Sequence, residues 1–302
     1  MIKDFTQLFE KAKKQNKMKL VVAAANDENI LKAVCSAAKK DIIEPILIGD
    51  KEKIQKVATD ISVDIRKYEL IHLETLEEIA EKSVKLINDN KADFLMKGLI
   101  DTSILLKAVL NKEFGLRTNS QLSHVMVYDV PTYKKLLYLT DGGMNIKPSL
   151  DEKVKITQNA VNVVKAMGNK CVKIAGIAAK EKVNKKMPAT IDADKLKQKS
   201  NENIFGDNVI FEGPLAMDLA LSKEACKVKG FKSEIAGDTD VLLVPTIEVG
   251  NAVGKTLTYL ANADSAGIIM GAKVPVVLVS RADSFNAKLN SIALGSVIAA
   301  NN

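Results

Sequence analysis

Apolar residues in this chain come in short unbroken runs, separated by stretches where they recur every three or four positions. After an amphipathic first helix carrying Phe5, Leu8, Phe9 and Ala12, residues 19–25 (KLVVAAA) form one such run and 28–39 a helical repeat. The pattern continues with runs at 45–48, 68–72 and the stretch ending at Lys97, alternating with helical repeats over 51–58, 76–88 and 102–110. An unbroken apolar run flanked by polar turns predicts a strand covered on both faces, and strands alternating with helices predict parallel βαβ crossovers. The fold class expected is α/β.

The middle of the chain changes character. The strands predicted at 125–130 and 135–140 are separated by a few residues around Pro131, too few for a crossover helix, so an antiparallel pair is expected. In DGGMNIKPSLDEK the glycines, Asn145 and Pro148 predict a loop, and Ser149 with Glu152 predicts a capping box for a helix running to Ala166. A strand over 171–178, a lysine-rich loop and helix over 180–203 and a strand over 208–211 follow. Pro214 suits the first turn of a helix in EGPLAMDLAL. Two continuous apolar runs, 241–244 and 274–279, precede an amphipathic helix over 285–299.

Composition narrows the function. With 302 residues, 47% hydrophobic and 27% charged, the chain reads as a soluble globular protein. It has no run near the roughly 18 apolar residues of a membrane span and no signal-like start, and its 3 cysteines are far apart, so a cytoplasmic protein without disulfides is expected. The 2 histidines and the absence of any ligand spacing predict no metal centre. The net charge of +7 comes from dispersed lysines, with few aromatics to stack bases, which argues against nucleic acid and for a small anionic ligand. Among the arginines Arg66, Arg117 and Arg281, only Arg281 follows a buried run; its planar fork grips phosphate or carboxylate as lysine cannot.

Three strand-to-helix junctions carry candidate chemistry. GNAVGKT at 250–256 falls one residue short of a P-loop and has Val249 where the first glycine belongs, which excludes the nucleoside-triphosphatase reading. What remains is a loop with Glu248, Gly250, Asn251 and Gly254 opening a helix, its backbone N–H groups turned toward an anion, with Lys255 in the first turns. SRADS puts Ser280 and Arg281 at a strand exit, where open α/β sheets bind ligands, and offers Asp283 and Ser284 as caps. MKGLIDTSILLK adds Lys97, Gly98 and Lys107. Basic residues at three junctions indicate a phosphate-bearing ligand, and AAAND after the first strand lacks the dinucleotide fingerprint.

The run from VLLVP through GNAVGK to GIIMGAKVPVVLVSR, with DGGMNIKPSLDEK and FEGPLAMDLA, resembles the phosphate acyltransferase family over nearly the whole chain. MKGLIDTS and SRADS are most similar to its phosphate butyryltransferase branch. The resemblance implies a two-domain α/β/α sandwich like isocitrate and isopropylmalate dehydrogenases, with residues 1–119 plus 276–302 as one domain, 120–275 as the other, and the active site in the interdomain cleft. It implies reversible transfer of a butanoyl group between coenzyme A and phosphate, with both as substrates, no tightly bound cofactor and a homo-oligomer. Ser280 and Arg281 match the family's Ser-Arg pair, and Asn251 and Lys255 its N-x-x-x-K loop; Lys107 falls near a family arginine. Asn145, Gly250 and Gly271 lie in the matching blocks as further substrate-binding candidates. The acetyl branch has an Asp seven residues after the Ser, where this chain has Ala287, so Asp283 is the candidate base. Three alternatives stay open: a phosphate acetyltransferase, a metal- and NAD-dependent 2-hydroxyacid dehydrogenase using Asp218, Asp238 and Asp240, and a non-catalytic ligand-binding protein.

Overall fold

The computed structural model describes residues 1–280 and 283–301. Helix α1 (Phe5–Lys14) buries Phe5, Leu8 and Ala12. Alternating steps follow: β1 (Met18–Ala23), α2 (Glu28–Lys39), β2 (Ile43–Gly49), α3 (Lys51–Asp60), β3 (Glu69–His72), α4 (Leu76–Asn88), β4 (Phe94–Lys97) and α5 (Thr102–Val109). Three of these helices start where a side chain accepts an otherwise unpaired N–H: Asp27 from Ile30 at 2.9 Å, Asp50 from Lys53 at 3.1 Å and Thr75 from Glu78 at 3.3 Å.

The chain continues through β5 (Ser123–Asp129), β6 (Leu137–Thr140), α6 (Leu150–Ala166), β7 (Val172–Ile177) and α7 (Pro188–Asn201). Next come β8 (Val209–Leu215), α8 (Met217–Leu221), α9 (Lys223–Val228), β9 (Val241–Leu243) and α10 (Ile247–Tyr259). It closes with β10 (Asp264–Met270), β11 (Val276–Val277) and α11 (Phe285–Ala299). The capping box of α6 is formed, with Ser149 N–H donating to Glu152 at 2.7 Å and Glu152 N–H to the Ser149 hydroxyl at 3.3 Å.

These elements form a mixed α/β fold divided into two compact units. The terminal unit comprises residues 5–120 and 265–302, the central unit 1–4 and 121–264. In the terminal unit the strands run in the order β3-β2-β1-β4-β11-β10, parallel as far as β11. β10, which the sequence reading left within the middle stretch, pairs antiparallel with β11 through Ile269 and Val276. In the central unit the order is β5-β6-β9-β7-β8; β5 and β6 are the antiparallel pair expected around Pro131, and the others are parallel.

Three sequence expectations are corrected. Pro214 does not open a helix: it lies in β8, the last strand in its unit's order, where a missing N–H is tolerated. α10 begins at Ile247, ahead of Gly250 rather than at it. α11 is not amphipathic. It is buried continuously from Ala287 to Ile298 and packs on α1, α2, β4 and β11.

Candidate active site

In the terminal unit, the carboxyl ends of β1, β4 and β11 surround a small recess lined by Asp27, Ile30, Lys97, Gly98, Leu99, Val279, Ser280 and Lys288. Gly98 is required there by close approach: an added Cβ would lie 2.1 Å from the Ala24 carbonyl oxygen and 2.5 Å from that of Ala23. The Gly98 N–H donates to the Ala23 carbonyl at 2.8 Å and the Leu99 N–H to the Ala24 carbonyl at 2.7 Å, which sets Lys97 at the mouth of β4. Ser280 is exposed and Asp283 half-buried, and the Asp283 carboxylate accepts the Ser280 N–H at 2.7 Å while the Asp283 N–H returns to the Ser280 carbonyl at 3.1 Å. Ser280 is therefore held at a strand exit by the carboxylate three residues on. Arg281 lies outside the described residues.

In the central unit, the loop after β6 is gathered by one buried carboxylate. Asp141, 3% exposed, accepts the N–H groups of Gly143 at 2.8 Å, Met144 at 2.9 Å and His124 at 3.1 Å, and the side-chain amide of Asn145 at 2.6 Å. Asn145 also donates to the Leu122 carbonyl at 2.8 Å and accepts from Gln121 at 2.8 Å, so its amide is engaged within the loop. The loop meets α10 backbone to backbone: a Cβ on Gly250 would lie 2.6 Å from Gly142 Cα, and one on Gly254 would lie 2.6 Å from the Tyr128 hydroxyl.

That packing corrects the anion-cradle expectation for Gly250. Its N–H already donates to the Thr246 carbonyl at 3.2 Å, and the Ile247 N–H donates to the Ile146 carbonyl at 3.0 Å. The Thr246 hydroxyl and the residue's own N–H hold the Glu248 carboxyl below its ordinary pKa, so the first turn already carries an anion of the protein itself. The glycines at i and i+4 form the face that packs; Asn251 and Lys255, also at i and i+4, form the exposed face. Lys255 stands 5.8 Å over the Tyr259 ring.

Of the remaining candidates, Lys107 is exposed in the last turn of α5 and is not among the recess residues. Gly271 has φ +98° and its carbonyl accepts the Thr118 hydroxyl at 2.6 Å, making it a turn element after β10. The structure thus places Ser280, Asp283, Lys107 and Gly271 in the terminal unit, and Asn145, Gly250, Asn251 and Lys255 in the central one. The carboxylates of the dehydrogenase alternative are engaged by lysines. Asp218 pairs with Lys229 at 2.8 Å, Asp240 with Lys135 at 2.6 Å, and Asp238 with Lys134, Lys135 and Lys173 at 2.9, 3.2 and 2.7 Å.

Sequence reasoning missed Asp141 and Lys288. DGG at a strand exit was a usable signal for the first. Lys288 is the single charged residue of α11, and a lone charge in an otherwise uncharged helix was the signal for the second.

Ser280 thus shares its recess with Lys97 and Lys288. The chain belongs to the phosphate acetyl/butaryl transferase family, whose model matches residues 4–85 and 73–296. It is 44% identical to the phosphate butyryltransferase of Clostridium acetobutylicum over 301 residues, covering 100% of both chains. It is also 40% identical to the phosphate acetyltransferase of Thermotoga maritima, over 97% of this chain and 99% of that one. Among solved structures, a branched-chain phosphotransacylase from Enterococcus faecalis superposes with a TM-score of 0.83 at 33% identity, over 93% of this chain and 99% of that one.

Proposed function

We propose that this chain is a phosphate butyryltransferase, catalysing butanoyl-CoA + phosphate = butanoyl phosphate + CoA in both directions. The observation that carries the reading is the 44% identity, end to end, with a phosphate butyryltransferase. Acyl transfer between a thiolate and phosphate needs cationic groups for the phosphate, stabilisation of charge at the acyl oxygen and a proton acceptor. Ser280 and Arg281 take the places beside the reacting carbonyl and phosphate, and Asp283 is the base. Asn251 and Lys255, on the exposed face of α10, and Lys107, on α5, supply contacts to the phosphates of coenzyme A. Asn145 shapes the loop after β6, Gly250 seats α10 against that loop, and Gly271 shapes the turn after β10.

Direct attack of phosphate on the thioester in a ternary complex requires no acyl-enzyme. Isotope exchange tests this: labelled CoA should enter butanoyl-CoA only when phosphate is present, and exchange without phosphate would replace direct attack by a covalent intermediate. Thiol release that does not depend on phosphate would remove the transferase reading itself.

The family resemblance supports the finer fold reading, a two-domain α/β/α sandwich like isocitrate and isopropylmalate dehydrogenases, with the active site in the interdomain cleft. It likewise supports a cytoplasmic homo-oligomer using coenzyme A and phosphate as substrates, without a tightly bound cofactor. Among the described residues no helix is long and apolar enough to cross a membrane. The second reading, phosphate acetyltransferase, is favoured by the Thermotoga maritima relative at 40% identity.

A further inference from the structure

Lys288 is 2% exposed, in a helix that is buried along nearly its whole length. The other polar side chains of that buried stretch have neutral partners suited to them: Asn290 donates to the Ser265 carbonyl at 3.2 Å, Ser291 accepts the Gly267 N–H at 2.9 Å, and Ser296 accepts from Gln15 at 3.0 Å. Lys288 is a cation, and among the described residues its ammonium has one partner, the Asp283 carbonyl oxygen. Asp27, the carboxylate that also lines the recess, accepts the Ile30 N–H and forms no ion pair with Lys288 among the described residues. A buried ammonium without an anion is expensive, whereas a neutral residue of similar length would fill the same space without that penalty.

We infer that the missing anion is a ligand: Lys288, with Lys97, forms the anchor of a phosphoryl-dianion subsite in the recess beside Ser280. Lys97 is 9% exposed, donates to the Gly98 carbonyl at 3.3 Å and lines the same recess, which therefore holds two largely buried lysines together with Ser280. Two cations match a doubly charged tetrahedral oxyanion better than a carboxylate or a neutral acyl chain. The Asp283 carbonyl fixes the Lys288 ammonium relative to the Ser280 turn, because the same residue's carboxylate holds the Ser280 N–H. The inference rests on the acyltransferase reading for its choice of phosphoryl group. The two sources of that chemistry are inorganic phosphate, or the phosphoryl group of its acyl phosphate product, and the 3′-phosphate of coenzyme A.

The test uses the full-length chain with Lys288→Met, an apolar replacement of similar length, and Lys56→Met as an exposed-lysine control. Ligand that binds only the folded state raises its melting temperature with concentration. Inorganic phosphate is expected to raise that of the wild type and of Lys56→Met, and to leave Lys288→Met unshifted, although Lys288→Met melts no lower without ligand. In turnover, the KM for phosphate should rise roughly 10- to 100-fold, the worth of a charge-assisted hydrogen bond, with the KM for butanoyl-CoA unchanged. If the lost shift and raised KM fall instead on coenzyme A, and dephospho-CoA shows no difference between wild type and variant, the same subsite holds the 3′-phosphate. Wild-type shifts and KM values in Lys288→Met would overturn the proposal. Should Lys288→Met not fold, Lys288→Gln, uncharged and still able to donate to the Asp283 carbonyl, gives the same readings. The thermal shift needs no turnover, so a wild type that binds phosphate but releases no thiol would refute the activity while leaving the subsite standing.

Discussion

Gly250 and Asn251 are neighbours in α10, and alanine at the two positions should move stability in opposite directions. Helix propensity alone favours both changes, by about 1 kcal/mol for Gly→Ala and roughly 0.5 kcal/mol for Asn→Ala. At Gly250 the new Cβ would lie 2.6 Å from Gly142 Cα, 2.9 Å from the Asp141 carbonyl oxygen and 2.9 Å from Val244 Cγ2. Two of those atoms are backbone in a loop pinned by the hydrogen bonds to the Asp141 carboxylate, so the neighbour cannot yield by rotating a side chain. Overpacking of this kind costs about 1–3 kcal/mol, and rigid backbone on the far side puts the site near the upper end. The net expectation is a loss of about 2 kcal/mol, a fall in melting temperature of roughly 4–8 °C for a unit of this size. Asn251 is exposed, meets no such obstacle, and its alanine variant should be slightly more stable while losing affinity for coenzyme A. Thermal melts of the two variants beside the wild type, with circular dichroism as the probe, give the comparison. A Gly250→Ala protein that melts higher than wild type would refute the close packing of α10 on the Gly142 loop.

Other consequences follow from the same geometry. Ser280→Ala and Arg281→Lys should lose most thiol-releasing activity while melting as the wild type does; retained activity in both would remove the Ser-Arg pair from the account. Ser149→Ala should cost about 1 kcal/mol by opening the α6 capping box, measurable as a lower urea midpoint. Burial pulls the Asp238 carboxyl upward, but Lys173, Lys134 and Lys135 hold it well below the usual carboxylate range. Its folded pKa is below its unfolded value, so its stabilisation is present above about pH 4 and is lost as pH falls through the folded value. Asp238→Asn should therefore flatten the acid limb of the stability profile between roughly pH 4 and 2; an unchanged acid limb would show that the lysine cluster does not depend on this charge.

Much of the architecture was legible because the signals were local. Continuous apolar runs marked β1, β2, β4 and β9, and Ser149 with Glu152 gave the start of α6 three residues apart. Where the reading failed, distant contacts decided. Pro214 reads as a helix opener until β8 is known to be the last strand of its unit's order. Gly250 reads as a cradle until Gly142, more than a hundred residues earlier, is seen against it. The candidate site was half visible: Ser280 at a strand exit followed from the apolar run before it, but the burial of Lys288 depends on α1, α2, β4 and β11 closing round one helix. Asp141 was passed over because a loop aspartate looks like a turn residue unless its four acceptor contacts are known.

The central claim is a phosphate acyltransferase whose pocket prefers four carbons. It is tested most directly by measuring phosphate-dependent thiol release from acetyl-, propionyl- and butanoyl-CoA with the purified chain. Each methylene seated in an apolar pocket is worth about 1–3 kcal/mol, so kcat/KM should climb with chain length and reach its maximum at butanoyl-CoA, two methylenes and hence roughly thirtyfold or more above acetyl-CoA. A maximum at acetyl-CoA, or no dependence on phosphate with any of the three, would contradict it.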